Sequence, residues 1–321
     1  MLLFFCFIYT NAFANPVDSL LKNKVVVKNI SFPDLQLANG PMDSSSFIIP
    51  FSKVGNLMLI KAKADSVEGN FVLDTGCPGL VLNLTYFRKY SSSQESDAES
   101  EGITGVTRAD QVEIGNFNFG TIKAYHVKAD CVNLGNIENS KGIKVIGLIG
   151  MLFLQNCELI IDYQKNLMYF HVIGRKEASV YEHSMLKDET AYRTIPFEMS
   201  ENRMILRTVM AGKKLRFVID CAAETNILDS RLPDKIFETL SITGKVSLVG
   251  VGNKKVDAVK GSLAHFEIGG QDISDLPVLV TNLEKTCFSN GGCVDGVLGL
   301  DALSVQKIGF NFMKLKMYIW K

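Results

Sequence analysis

The chain has 321 residues, of which 47% are apolar, 21% charged and 9% aromatic. This length suits one large domain or two ordinary ones, and the composition is that of a globular protein. Lysine plus arginine and aspartate plus glutamate balance at 34 each, so no basic excess favours binding to nucleic acid or to an anionic membrane.

The chain begins with a short apolar run, residues 1–14, which ends in Ala12, Phe13 and Ala14. This small-x-small ending is typical of a cleaved signal peptide, so we expect a secreted or periplasmic protein. No basic residue precedes the run, and a disordered or buried apolar start stays open as an alternative. No other stretch approaches the roughly 18 apolar residues that a membrane span needs. Residues 15–48 are predicted to form an N-terminal arm, which either adds an edge strand to the fold or serves as a prosegment.

The remainder of the chain repeats itself. Residues 49–74 match residues 195–220 without a gap at an offset of 146, with eight identical positions. Residues 145–170 match residues 294–319 at an offset of 149. Two matches in the same order indicate a tandem duplication.

The duplication divides the chain into two lobes. We place the first lobe at residues 49–171, a polar linker at residues 172–194 and the second lobe at residues 195–321. Both lobes are predicted to be mostly β, because short apolar or alternating stretches are separated by turn residues such as Asp65 and Gly212.

Longer β signals and short helical signals occur in both lobes. Residues 111–127 and 262–280 each predict a hairpin around a turn that contains glycine. The helical signals are short and lie near Tyr86 and Leu232. The fold class is therefore predicted to be all-β, with two homologous barrel-like lobes.

In both lobes an apolar strand leads directly into an aspartate, Asp74 in the first and Asp220 in the second. A carboxylate at the end of a buried strand is costly unless something holds it, and two copies suggest that they meet at a pseudo-twofold axis. Two carboxyls in contact share one proton. The ionised one can then activate a water as a general base, while the protonated one polarises an amide carbonyl. This chemistry needs neither a metal nor a cofactor.

The sequence around Asp74, Thr75 and Gly76 resembles the active-site loop of the retropepsin-like and pepsin-like aspartic proteases. Residues 145–150 and 295–300 resemble the second signature of that family, in which apolar residues and a glycine lie under the catalytic loop. Two glycine-rich stretches follow the aspartates where the family carries its flap hairpins. The glycines in question are Gly102, Gly105, Gly250 and Gly252.

The resemblance implies an aspartic endopeptidase with its active site between two β-barrel lobes. It covers residues 49–171 and 195–320. Asp74 and Asp220 would form the catalytic dyad, with a peptide or protein as the substrate and both lobes in one monomeric chain. Gly76 would aim an N–H at a carboxylate, and Thr75 would donate its hydroxyl across the lobe interface.

The second loop departs from the family pattern at two positions. Cys221 stands where threonine or serine is usual, and a thiol is a weak donor. Ala222 stands where glycine is usual, and its methyl group is expected to push the loop. Support for Asp220 is therefore expected to be weaker, and a catalytically impaired pseudo-peptidase that binds peptides stays open.

Two further alternatives involve other pairings of these residues. Asp74 could meet the Asp74 of a second chain in a homodimer, which the repeated strand before Asp220 makes unnecessary. A cysteine peptidase would need a histidine beside Cys77 or Cys221, and none is near in sequence.

The other cysteines bear on the compartment. Cys287 and Cys293 bracket a short loop whose spacing suits a disulfide in an oxidising compartment. A bond between Cys131 and Cys157 is possible, and free buried thiols are the alternative for all of these residues. The acidic stretch at residues 91–101 predicts a solvated loop before the first flap.

Overall fold

The computed structural model describes residues 2–3, 7–9, 45–90, 99–102, 105–249, 255–284, 287 and 292–321. The helices within these ranges are short, and none is long and apolar enough to cross a bilayer. They are α1 (Leu84–Phe87), α2 (Gly135–Lys141), α3 (Asp234–Phe237) and α4 (Leu300–Leu303), with 3-10 turns at Met151–Phe153, Ser184–Leu186 and Glu189–Ala191. The two helices predicted near Tyr86 and Leu232 are thus α1 and α3, whereas α2 and α4 were not predicted.

A seven-stranded sheet forms the first lobe. Its strands in sheet order are β10 (Asp110–Phe119), β11 (Ile122–Val132), β7 (Leu80–Asn83), β12 (Gly147–Ile149), β6 (Val67–Leu73), β5 (Leu57–Ala64) and β4 (Ser52–Val54). Phe117 of β10 also pairs with Ala64 of β5, which closes the sheet into a barrel. The exposed Lys61 and Lys63 alternate with buried residues at the end of β5, as a half-buried strand requires.

A nine-stranded sheet forms the second lobe and repeats this arrangement. Its strands in sheet order are β16 (Glu198–Ser200), β17 (Arg203–Met210), β18 (Lys213–Ile219), β23 (Gly296–Leu298), β19 (Asn226–Asp229), β22 (Gln271–Thr281), β21 (Lys255–Ile268), β20 (Leu240–Val249) and β2 (Phe7–Tyr9). The hairpins predicted at residues 111–127 and 262–280 are present as β10–β11 and β21–β22.

A six-stranded sheet joins the two lobes. Its strands in sheet order are β15 (Tyr192–Pro196), β25 (Lys316–Trp320), β24 (Ile308–Asn311), β13 (Cys157–Asp162), β14 (Leu167–Val172) and β3 (Ser46–Pro50). In its centre Ile160 pairs with Gly309, its own equivalent in the repeat at the offset of 149. The pseudo-twofold axis therefore passes between β13 and β24.

The segment that connects the lobes is packed. Strand β15 begins inside the segment predicted as a linker, and β3 begins before residue 49. Leu186 and Tyr192 are buried, and the Tyr192 hydroxyl donates a hydrogen bond to the Leu186 carbonyl at 2.9 Å. A few apolar side chains in a mostly polar stretch are enough to fix it against the sheet.

A three-stranded sheet contains the two glycines, Gly102 and Gly105, at which the first flap is expected. Its strands are β1 (Leu2–Leu3), β8 (Glu99–Gly102) and β9 (Gly105–Arg108). Gly102 pairs with Gly105 at the turn of the β8–β9 hairpin. Gly250 and Gly252, most of the expected signal peptide and arm, and residues 91–98 lie outside the described residues.

The N-terminal segment pairs with a hairpin of each lobe. Leu2 lies opposite Glu101 in a parallel pairing of β1 with β8, and Phe7 lies opposite Val249 in an antiparallel pairing of β2 with β20. Residues 2–3 thus add a strand to a hairpin of the first lobe, and residues 7–9 add one to the sheet of the second lobe.

The cysteines divide into one disulfide and several free thiols. Cys287 and Cys293 are bonded, as their spacing predicts. Cys131 and Cys157 are both free and buried, so the bond considered between them does not form. Each packs as a small apolar side chain in the main core cluster.

One glycine in each lobe allows the signature strand to lie under the loop that carries the aspartate. Strand β12 pairs in parallel with β6, and β23 pairs in parallel with β18. A Cβ atom at Gly147 would collide with the Val81 carbonyl oxygen, and one at Gly296 would collide with that of Ile227. Backbone rather than a flexible side chain stands in the way, so only glycine fits.

We predict that Gly147→Ala lowers the free energy of unfolding by about 1–3 kcal/mol, because the methyl group overpacks a buried backbone contact. Gly244→Ala is the matched control, since a Cβ there meets no atom within 4 Å. Denaturant unfolding of both variants beside the wild type measures the difference. Equal effects of the two substitutions would contradict this account of the strand packing.

Candidate active site

Strand pairing places the two aspartates at equivalent positions. Asp74 directly follows strand β6, and its N–H donates to the Ile149 carbonyl of β12 at 2.9 Å. Asp220 directly follows strand β18, and its N–H donates to the Leu298 carbonyl of β23 at 3.0 Å. Both side chains are 0% exposed, and within one chain the two carboxyls lie near enough for Asp220 to raise the pKa of Asp74. We call them the aspartate pair.

Each carboxyl of the pair is held at one oxygen. The Gly76 N–H donates to Asp74 Oδ1 at 2.8 Å. The Ala222 and Ala223 N–H groups donate to Asp220 Oδ1 at 2.8 and 3.0 Å. The Oδ2 atoms of both aspartates are buried and accept no hydrogen bond from the described residues. They are the atoms available for a shared proton and for a reacting group.

Reciprocal hydrogen bonds tie the two loops together across the lobe interface. The Thr75 hydroxyl donates to the Ile219 carbonyl at 2.9 Å and accepts from the Cys221 N–H at 3.0 Å. The Cys221 thiol donates in return to the Leu73 carbonyl at 3.2 Å. Cys221 therefore occupies the place that the pseudo-twofold axis assigns to the partner of Thr75. We call these contacts the loop tie.

The structure corrects the expectation that the second loop supports Asp220 poorly. The Cys221 thiol makes its cross-lobe contact, and Asp220 accepts one more N–H than Asp74 does. The Ala222 methyl group is fully buried in an apolar cluster that includes Leu57. By contrast, a Cβ at Gly76 would lie 2.5 Å from Asp220 Oδ2. Glycine is thus required in the first loop but not in the second.

The electrostatics of the pair differ between its members. Burial raises the pKa of Asp74 well above its usual value, and the nearby Asp220 carboxylate raises it further. Burial also raises the pKa of Asp220, to about 6, while its two N–H donors oppose the rise. Because hydrogen bonds to the charged form favour that form, the second N–H donor favours the negative charge on Asp220 and the proton on Asp74.

A second connection across the lobes lies beside the second loop. Lys141, at the end of α2, forms an ion pair with Glu224 at 2.6 Å, and their side chains are only 18% and 12% exposed. The Asn56 amide donates to the Glu224 carbonyl at 2.7 Å and to Asp301 Oδ1 at 2.8 Å. No signal in the sequence indicates the Lys141–Glu224 ion pair, because these two residues lie far apart in sequence and follow no repeat.

The remaining expected site residues are placed in part. Gly102 and Gly105 lie in the β8–β9 hairpin, whereas Gly250 and Gly252 lie outside the described ranges. Those ranges contain no cluster of three or more His, Cys, Asp or Glu side chains that could hold a metal ion.

We predict that Asp74→Asn raises the free energy of unfolding at pH 7 by about 1–3 kcal/mol. The folded-state pKa of each aspartate lies above its value in the unfolded chain, so the folded state loses stability as pH rises from about 4 through those pKa values. The amide removes that cost. The gain should therefore shrink toward pH 4, as measured by denaturant unfolding at both pH values.

Asp257→Asn, at an exposed position, serves as the control and should leave the stability nearly unchanged at either pH. If Asp74→Asn instead lowered the free energy of unfolding at pH 7, ionisation of the buried pair would not destabilise the folded state in this way.

The fold is similar to those of two solved seed proteins. Basic 7S globulin from soybean is 8% identical, with 86% of this chain and 95% of that chain covered and a TM-score of 0.44. Conglutin gamma, a basic 7S globulin from lupine seeds, is 10% identical, with the same coverage of 86% and 95% and a TM-score of 0.46. No curated protein sequence matches the chain.

A family comparison addresses the sequence itself. The model of the family described as aspartyl protease matches residues 60–153 and again residues 207–302, together more than half of the chain. The first match contains Asp74 with its glycine signature, and the second contains Asp220 with the equivalent strand. The chain therefore belongs to the aspartyl protease family, with one copy of the family unit in each lobe.

Proposed function

We propose that the chain is an aspartic endopeptidase that hydrolyses peptide bonds with a water activated between Asp74 and Asp220. One observation carries the proposal. Two fully buried carboxyls, which lie in equivalent loops, each accept hydrogen bonds from N–H donors at Oδ1, while neither Oδ2 atom has a hydrogen-bond partner among the described residues. Groups that share a proton in this way can act together as base and acid.

The proposed reaction uses the asymmetry of the pair. Asp220 takes a proton from water as the water oxygen bonds to the scissile carbonyl carbon, while the proton of Asp74 passes to the carbonyl oxygen. The C–N bond then breaks. The departing amine takes the proton from Asp220, and a hydroxyl of the tetrahedral intermediate returns one to Asp74. Both groups end in their starting states, and no covalent intermediate forms.

The loop tie supports this mechanism by fixing both carboxyls before substrate arrives. Thr75 and Cys221 hold the loops from opposite lobes, so little reorganisation accompanies the movement of charge. A relative shift of the lobes would separate the two oxygens that share the proton.

Two observations favour an extended peptide as the substrate. The segment containing Leu2–Leu3 and Phe7–Tyr9 already pairs as added strands with a hairpin of each lobe. Added strands of this kind bind through main-chain hydrogen bonds, which peptides of many sequences can supply. The edges of β8 and β20 with which these segments pair are thus suited to an extended peptide chain.

The proposed compartment is extracellular or periplasmic. The Cys287–Cys293 disulfide supports it, because such bonds persist in oxidising environments. The apolar run at residues 1–14 is consistent with export.

A second candidate function is peptide binding without cleavage. It is favoured by the complete burial of Asp74 and Asp220, since a scissile bond reaches them only if the covering structure moves. Both candidates predict a peptide ligand, and only the first predicts dependence of cleavage on both carboxyls.

We predict that the full chain cleaves components of a random peptide mixture between about pH 3 and pH 8, and that Asp74→Asn and Asp220→Asn each abolish cleavage. The rate should fall as pH drops through about 6, because Asp220 then takes up the second proton of the pair and no base remains. Mass spectrometry of the products measures cleavage, with Asp257→Asn as the exposed control.

Loss of cleavage in Asp74→Asn alone would indicate pairing of first lobes between two chains and contradict the proposal. Saturable binding of peptide without cleavage at any pH would support the second candidate instead.

A further inference from the structure

Arg203 is a buried cation at the start of β17. Its side chain is 2% exposed, and no other lysine or arginine among the described residues is as deeply buried. The offset of 146 places Leu57 at the equivalent position of the first lobe. The second lobe thus carries a guanidinium where the first carries an apolar side chain.

The guanidinium contacts the first loop from the opposite lobe. Its Nε–H donates to the Gly76 carbonyl at 3.1 Å, and Nη1 donates to the Glu201 carbonyl at 3.3 Å. The N–H of Gly76 is the donor that holds Asp74 Oδ1. Arg203 therefore fixes the residue that orients the Asp74 carboxyl.

The residue of the first lobe that is equivalent to Arg203, Leu57, makes no such polar contact with the second loop. The first lobe instead contacts that loop at Glu224, through Asn56 and Lys141. Leu57 lies in the same buried apolar cluster as Ala222. The side chains of these two residues thus take the positions that Arg203 and Gly76 have in the other half of the repeat. Gly76 lacks the Cβ that Ala222 has, and its carbonyl accepts the hydrogen bond. Among the described residues, Arg203 is thus the cation that contacts the first loop directly, whereas Lys141 pairs with the Glu224 side chain beside the second loop.

The charge of Arg203 reaches both members of the aspartate pair. It lowers the pKa of Asp74 and of Asp220, opposing the rise that burial causes. An arginine keeps its proton even where burial lowers its pKa. The titratable groups that face this region are Asp74, Asp220, Cys77, Cys221 and Glu201. Arg203 is the cation that faces these acidic groups and thiols.

We propose that Arg203 is a positioning residue for the aspartate pair, which holds the first loop at Gly76 and supplies the positive charge that lets one buried carboxyl ionise. The proposal deepens the proposed function, on which its effect on cleavage rests. Its effect on the ionisation of the pair does not depend on whether the chain cleaves peptides.

The test is a carboxyl titration of the full chain labelled with ¹³C in the aspartate side chains. Signals of the pair are assigned by their loss in Asp74→Asn and Asp220→Asn. Arg203→Met removes the charge at similar length, and Arg203→Gln removes it while keeping an N–H donor. Both should move the titration midpoints of the pair upward by about one pH unit. Arg203→Lys keeps the charge and should move them by less.

Arg207→Met is the matched control on the same strand. Arg207 is 56% exposed and pairs with Glu198 at the surface, so its loss should leave the midpoints unchanged. Thermal unfolding identifies which variants are folded. If Arg203→Met does not fold, the midpoints of Arg203→Gln provide the test. Unmoved midpoints in a folded neutral variant, or an equal shift in Arg207→Met, would overturn the proposal.

The same variants separate this proposal from the proposed function. If cleavage occurs, its acid limb should move upward with the midpoints. If the Arg203 variants shift the midpoints but the wild-type chain cleaves no peptide, the role of Arg203 stands and the proposed peptidase activity is refuted. If the wild-type chain cleaves peptide but the Arg203 variants leave the midpoints unchanged, the peptidase activity stands and the role of Arg203 is refuted.

Discussion

The contact between the buried carboxyls of Asp74 and Asp220 constrains the structure around it. Two carboxylates removed from water cannot both carry charge, and one survives only where donors and a shared proton compensate its burial. The loop N–H groups supply the donors, and the loop tie between Thr75 and Cys221 keeps the carboxyls in register. The paired strands β13 and β24 then hold the two lobes at the distance that the contact needs.

Duplication gives the backbone its symmetry, while divergence gives the pair two different chemical environments. Asp220 accepts two N–H groups where Asp74 accepts one. Arg203 faces the first loop, whereas its equivalent Leu57 packs near the second. A symmetric pair would have no preferred site for its proton. Here the additional N–H donor favours the charge on Asp220, and the proposed roles of Asp220 as base and Asp74 as acid rest on that difference.

The repeat in the sequence was sufficient to predict the two lobes, the hairpins and the position of each aspartate at a strand end. Local patterns carry that information, because alternation and turn residues act over short distances. The thiol contact of Cys221 was missed, since its strength depends on the distance to a carbonyl of the other lobe. Arg203 was missed although the aligned repeats show it opposite Leu57. A charged residue at an apolar repeat position was the available signal.

Calorimetric titration with a peptide that carries a hydroxyl in place of the scissile amide tests the central claim most directly. Such a peptide mimics the tetrahedral intermediate and should bind the pair more tightly than a substrate does. One intramolecular site predicts one peptide per chain, with binding strongly weakened by either Asp74→Asn or Asp220→Asn. Half a peptide per chain, or unchanged binding in Asp220→Asn, would contradict a site built from both lobes of one molecule.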